Sequence, residues 1–173
     1  MRNSMITSKP KFPQPVIFMH WITLCFVLIA YFTSKSPIQD QLLGQTHVIA
    51  GIAVFIFFFI RIFLYIRFKT QFPETPFIST VQEKAFKLMK LCLYLCLFIV
   101  PFLGWLTLSA TQTHFSLFGV DLPLIQLPKN FGLGEIHQVI ANIFITLIGL
   151  HALAALFHHF ILKDDVLKSM RLK

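Results

Sequence analysis

Four long apolar stretches, separated by more polar connections, constrain this chain more than any other feature. They fall at about residues 16–32, 47–66, 88–108 and 137–162, and a helix needs roughly 17–25 residues to cross a bilayer. In lipid an unpaired backbone N–H or C=O is costly, so apolar runs of this length fold as helices. The composition agrees: 56% of residues are hydrophobic, 13% are charged, and the mean hydropathy is +0.74. These values exclude a disordered chain, a secreted disulfide scaffold and an ordinary cytosolic enzyme. The expected fold is an all-α integral membrane four-helix bundle. It occupies residues 16–162, between an N-terminal tail (1–15) and a C-terminal tail (163–173). Pro37, Pro73 and Pro76 punctuate the first two connections, and the third, about 109–135, is the longest.

The distribution of Lys and Arg sets an expected direction. Arg2, Lys9 and Lys11 precede the first span, and Arg61, Arg67, Lys69, Lys84, Lys87 and Lys90 surround the second connection. Lys163, Lys168, Arg171 and Lys173 follow the fourth span. Only Lys35 and Lys129 of the fifteen basic residues lie elsewhere. Both termini are therefore expected in the cytoplasm. The net charge of +8 reads as a topology signal and a contact for anionic lipid, with no nucleic-acid partner. Ala30, Tyr31, Phe32 and Thr33 make a poor cleavage site, so the first span is read as a retained helix and not a signal peptide.

Histidines within the spans carry the functional information, because ionisable groups are costly there. The chain has seven: His20, His47, His114, His137, His151, His158 and His159. His137 and His151 are 14 residues apart, which puts them on nearly one helix face about 21 Å apart along the axis. That separation suits two stacked sites, one in each leaflet; a single zinc site would need spacings of three or four residues. His47, at the outer end of its span, can face His137. His20, in the inner half of the first span, needs a partner from the inner part of the fourth: His151, His158 or His159. Two imidazoles per site with no acidic ligand suit non-covalent haem b in a bundle core. The absence of Cys-x-x-Cys-His excludes covalent haem attachment.

Arg61 follows His47 by the offset that separates His151 from His137. It is therefore expected at the inner site, where a guanidinium can pair with haem propionates; the plainer role is a snorkelling interfacial cation. Gly51, Gly149, Ala152, Ala154 and Ala155 leave room for a flat macrocycle or simply allow close helix packing. Cys92 and Cys96 sit one turn apart and read as packing residues.

These residues resemble the bacterial four-helix cytochrome b561 proteins. The likeness is carried by PVIFMHWI around His20, THVIAGIAVFIFFFIR from His47 to Arg61, VPFLGW ending at Trp105, and HQVIANIFITLIGLHALAALFHHFILKD from His137 to Asp164. The wider group includes the haem b membrane subunits of formate dehydrogenases and nickel-iron hydrogenases. The resemblance implies a bacterial inner-membrane, multi-pass protein with two haem b groups. It implies His20 and His151 as ligands of the inner haem and His47 and His137 as ligands of the outer. Depth counted from the ends of the apolar runs matches His20 to His158 instead, which stays as the competitor. One departure is Lys90, where relatives often carry a histidine.

The resemblance further implies electron exchange with the quinone pool. Some members are superoxide oxidases, which take electrons from superoxide at the outer surface and pass them to ubiquinone. That is the activity expected here, an oxidoreductase. The alternative is a haem b relay subunit for a partner dehydrogenase, and a non-redox channel using intramembrane histidine is a third reading. His158, Lys163, Trp21 and Lys90 gather near the inner surface as quinone-side candidates, while Trp105 lies near the outer one. Against superoxide steering, the outer loops offer Lys35, Lys129 and His114 beside Asp40, Asp121 and Glu135.

Overall fold

The computed structural model describes residues 11–35, 42–73, 79–117, 119–128 and 132–172. Arg2, Lys9, Pro37, Asp40, Pro76, Lys129 and Lys173 lie outside the described residues. Four helices are long and apolar enough to cross a membrane. Helix α1 is Gln14–Thr33 and carries Pro15 in its first turn, where a missing N–H costs nothing. Helix α2 is Leu43–Phe68, continued by a 3-10 turn at Lys69–Gln71. Helix α3 is Thr80–Thr111 and α4 is Leu133–Phe157, with a π-helical turn at His158–Leu162. A short α5, Val166–Ser169, follows. Between α3 and α4, β1 (Ser116–Leu117) and β2 (Val120–Asp121) pair antiparallel across a turn with Gly119 at φ 82°.

Helix α3 is longer than its apolar run. Its 32 residues span about 48 Å, against a hydrocarbon core of about 30 Å. The extra turns come first in the helix. Ser79 caps them by accepting the Gln82 N–H at 3.2 Å, in the Ser-x-x-Gln pattern of a capping box. They carry the water-facing Glu83–Lys87 ion pair. Hydropathy locates the part of a helix that lies in lipid; capping locates where the helix begins.

Helix α1 packs along α2, α3 along α4, and α2 along α3, whereas α4 makes no comparably extensive contact with α1 or α2. The α1–α2 pair and α4 therefore face each other across a gap. Midway along the bundle a layer of Val27, Val54, Cys96, Leu97 and Phe144 closes that gap. Val27 is seven residues from His20, Val54 seven from His47, and Phe144 seven from both His137 and His151. The buried layer thus separates the two histidine levels. Much of the remaining span surface is exposed aliphatic and aromatic side chain, such as Phe63 and Leu153, as a lipid-covered bundle requires.

At the end bearing most of the basic residues, called the basic end below, the two terminal segments meet. The Phe12 N–H donates to Ser169 O at 3.2 Å, and Trp21 Nε1–H donates to Met170 O at 2.9 Å. The chain reverses after the π-helical turn at Lys163, a left-handed residue at φ 54°. A side chain costs about 1–2 kcal/mol in that conformation. Lys163→Gly is expected to raise the thermal midpoint of the detergent-solubilised protein and Lys163→Val to lower it. A melt followed by tryptophan fluorescence checks both.

Candidate functional site

Two pairs of imidazoles face each other along the bundle axis. His20 on α1 and His151 on α4 have ring centres 6.3 Å apart at 66°, and His47 on α2 and His137 on α4 are 6.2 Å apart at 81°. The spacing argument anticipated the far-end pair, His47 with His137, and left the basic-end partner of His20 open. The structure brings His151 to it. Counting from the ends of apolar runs misjudges this depth because the helices end at different levels. Helix α1 begins six residues before His20, whereas α4 and its π-helical turn continue eleven residues beyond His151.

Two imidazoles joined through one metal ion would have ring centres about 6.3 Å apart. That figure combines metal–nitrogen bonds of about 2.0–2.1 Å with about 1.1 Å from each nitrogen to its ring centre. Both observed separations fit. Among the described residues no cluster of three or more His, Cys, Asp or Glu could hold a bare metal ion. A two-imidazole set therefore suits a metal whose other positions are filled by a macrocycle.

The far-end imidazoles are fixed by main-chain carbonyls. His47 Nδ1–H donates to Ala30 O at 2.8 Å, and His137 Nδ1–H to Val100 O at 3.0 Å. A carbonyl only accepts, so both rings are Nδ1-protonated and keep an Nε2 lone pair for a ligand bond. Each acceptor has a local cause. At the end of α1 the Ser34 N–H bonds Tyr31 O, which leaves Ala30 O without a main-chain partner in the helix; Thr33 Oγ1–H reaches it at 3.3 Å, and its second lone pair is open to His47. In α3 the Val100 carbonyl points towards position 104, and Gly104 has no side chain to cover it. A Cβ there would lie 3.2 Å from His137 Cε1. Sequence reasoning quoted Gly104 only as part of a motif and missed this role; a lone helical glycine was the available signal.

Arg61 is within electrostatic reach of both His20 and His151, at the level its spacing implies. Its Cζ lies 5.5 Å over the Tyr94 ring, and its Nε is buried with no hydrogen-bond partner in the protein. A half-buried cation with a buried, idle Nε fits an anionic group on a bound molecule. Gly51, one turn beyond His47, would meet no atom within 4 Å if given a Cβ, so a flat ligand has space beside that ring. Gly149 has the same open space but stands two residues from His151, about 200° round the helix. It faces away from the site.

The quinone-side candidates separate. His158 Nδ1–H donates to Asp164 Oδ2, and its Nε2 accepts from Gln82 Nε2 at 3.0 Å. Asp164 Oδ1 in turn accepts the Val166 N–H at 3.1 Å. His158 and Gln82 are the polar members of an open, otherwise apolar cleft of about 720 Å³, lined also by Leu153, Phe157 and Phe160. Trp21 packs edge-on against His20 at 5.5 Å while it tethers Met170. Lys90 lies 5.4 Å over the Tyr65 ring, and Lys163 is an exposed turn residue. His159 is half-buried against Phe160. At the far end Trp105 Nε1–H donates to Pro123 O at 2.8 Å, and His114 is exposed. Cys96 belongs to the buried layer and Cys92 is half-buried beside it.

A four-helix membrane bundle with two stacked imidazole pairs has the architecture of a membrane cytochrome. The sequence pattern of prokaryotic cytochrome b561 matches residues 11–172, and the chain belongs to that family. It is 33% identical over 172 residues to "Cytochrome b561 homolog 1" of Escherichia coli (strain K12), covering 92% of this chain and 96% of that one. It is 31% identical over 163 residues to "Probable superoxide oxidase CybB" of Yersinia pestis, covering 89% and 92%. A third relative, "Cytochrome b562" of Cereibacter sphaeroides, is 27% identical over 176 residues, covering 95% and 98%. The protein is thus a multi-pass electron-transfer protein of the bacterial inner membrane, and its family implies haem b.

Proposed function

We propose that this chain binds two haem b groups, one between His20 and His151 and one between His47 and His137, and carries electrons from superoxide to ubiquinone. The observation that carries the di-haem reading is the separation of the two ring pairs, 6.3 and 6.2 Å, each matched to one bridging metal ion. The far-end carbonyls orient His47 and His137, and Arg61 receives a propionate at the basic end. Haem supplies reversible one-electron chemistry. The buried Phe144 layer holds the two levels apart. The positive-inside distribution of Lys and Arg puts the basic end in the cytoplasm and the far end outside.

Two superoxide anions each lose one electron and leave as oxygen; ubiquinone takes both electrons and two protons to become quinol. The cleft beside His158 has the size of a small-molecule site, which typically falls at about 300–1,000 Å³. The quinone head group sits there and displaces Gln82 from His158 Nε2; Asp164 holds the imidazole at Nδ1, so a proton taken up on Nε2 passes to the quinone carbonyl. The superoxide step draws on the relative named as a probable superoxide oxidase.

The first test is a reduced-minus-oxidised spectrum with haem counted as pyridine haemochrome, expected to give two b-type haems per chain. The second is ubiquinone reduction by the pure protein in a superoxide-generating system. Two haems without quinol formation would remove the oxidase reading. One observation favours a second reading, a relay subunit for a partner dehydrogenase. Among the described far-end residues Lys35 stands with Asp121 and Glu135, a weak patch for steering an anion. Co-purification with a dehydrogenase would support the relay.

A further inference from the structure

The two imidazole pairs sit in unlike surroundings. At the far end both rings donate Nδ1–H to main-chain carbonyls. A ring that shares its proton this way is a more basic ligand, which favours the oxidised metal. One of these carbonyls, Ala30, belongs to the last turn of α1, where the helix dipole adds partial negative charge. At the basic end no such bond from His20 or His151 is found among the described residues. Arg61 instead brings a positive charge to that pair, with its Nε buried and idle. A nearby cation favours the reduced metal, and the low dielectric of a spanning bundle strengthens that effect.

We propose that Gly104 is a positioning residue that opens the Val100 carbonyl to His137, and that the resulting asymmetry makes the far-end centre the lower in reduction potential. This rests on the di-haem reading above. The geometry is specific. Residue 104 stands one turn after Val100, so a Cβ there projects beside the carbonyl that His137 must reach. At 3.2 Å from Cε1 it makes the ring give by a few tenths of an ångström and so loosens its bond to that acceptor. With haem bound at both pairs, the order these residues set would make transfer of an electron from the far end to the basic end downhill. The polarity of the wire is therefore set by uncharged main-chain atoms at one end and a single guanidinium at the other.

The test is a potentiometric titration of the purified holoprotein, followed in the haem absorption bands, with haem counted independently. The native protein is expected to show two components. Gly104→Ala raises the lower one and leaves the upper unchanged, or, if the displaced ring no longer holds its haem, removes the lower component alone. Arg61→Gln lowers the upper component, and Arg61→Lys restores it towards the native value. Gly134→Ala, whose Cβ would make an ordinary 3.5 Å contact with Thr107, moves neither. Two haems at one shared potential, or a Gly104→Ala shift confined to the upper component or absent, overturns the proposal while leaving the di-haem reading intact. Fewer than two haems in the native protein overturns both.

Discussion

His137→Ala, expressed with adequate haem, is expected to retain one of two haems, and His47→Ala to lose the same one. On the di-haem proposal each imidazole would supply one of the two protein ligands at its level, so removal of either would leave a one-sided site in an apolar gap. Ligands that act as a unit are non-additive. The His47/His137 double variant should therefore lose no more haem than either single variant, whereas the His137/His151 double variant should lose both. His158→Ala should keep both, because His158 is occupied by Asp164 and Gln82. Pyridine haemochrome counting checks every case. Two haems in His151→Ala with one in His158→Ala would reassign the basic-end pair.

Asp164→Asn is expected to slow quinol formation about 100-fold, the usual scale for a positioned proton donor, with haem content and haem reduction unchanged. The substitution separates two roles of one side chain. Asp164 Oδ1 holds the turn by accepting the Val166 N–H, and an amide oxygen can do the same. Oδ2 pairs with His158, and an amide there removes the negative charge that holds the imidazole and supports its proton. His158→Ala should lose quinol formation to a similar degree. Rapid haem reduction with slow reoxidation by quinone is the expected signature; equal slowing of both steps would place the defect at the haem sites instead.

Membrane helices are the most legible part of this chain because lipid imposes one rule on every residue of a span. All four spans were apparent from apolar length alone, although α3 extends about two turns further, where Ser79 and Gln82 gave the only signal. The antiparallel pair β1–β2 falls in a connection whose few apolar residues carry no period. Among the site residues, those on single helices were readable. His137 and His151, or His47 and Arg61, share a face because 14 residues make nearly four turns. The partner of His20 was not fixed by spacing, because it depends on the relative height of two helices joined only through the rest of the bundle. Lys163, Trp21 and Lys90 shared a depth with His158 but have other engagements: a left-handed turn, a tether to Met170 and the face of Tyr65.

The sequence by itself therefore determined four spanning helices, the clustering of basic charge at one end and two levels of histidine on α4, since each follows from transfer energy or helical period within one segment. Tertiary structure decided which imidazoles meet, why His137 can reach Val100 past Gly104, and that His158 is engaged with Asp164 and Gln82 instead of His20. Those outcomes depend on distances between helices and on a carbonyl left uncovered by a missing side chain. Neither has a periodic trace along the chain.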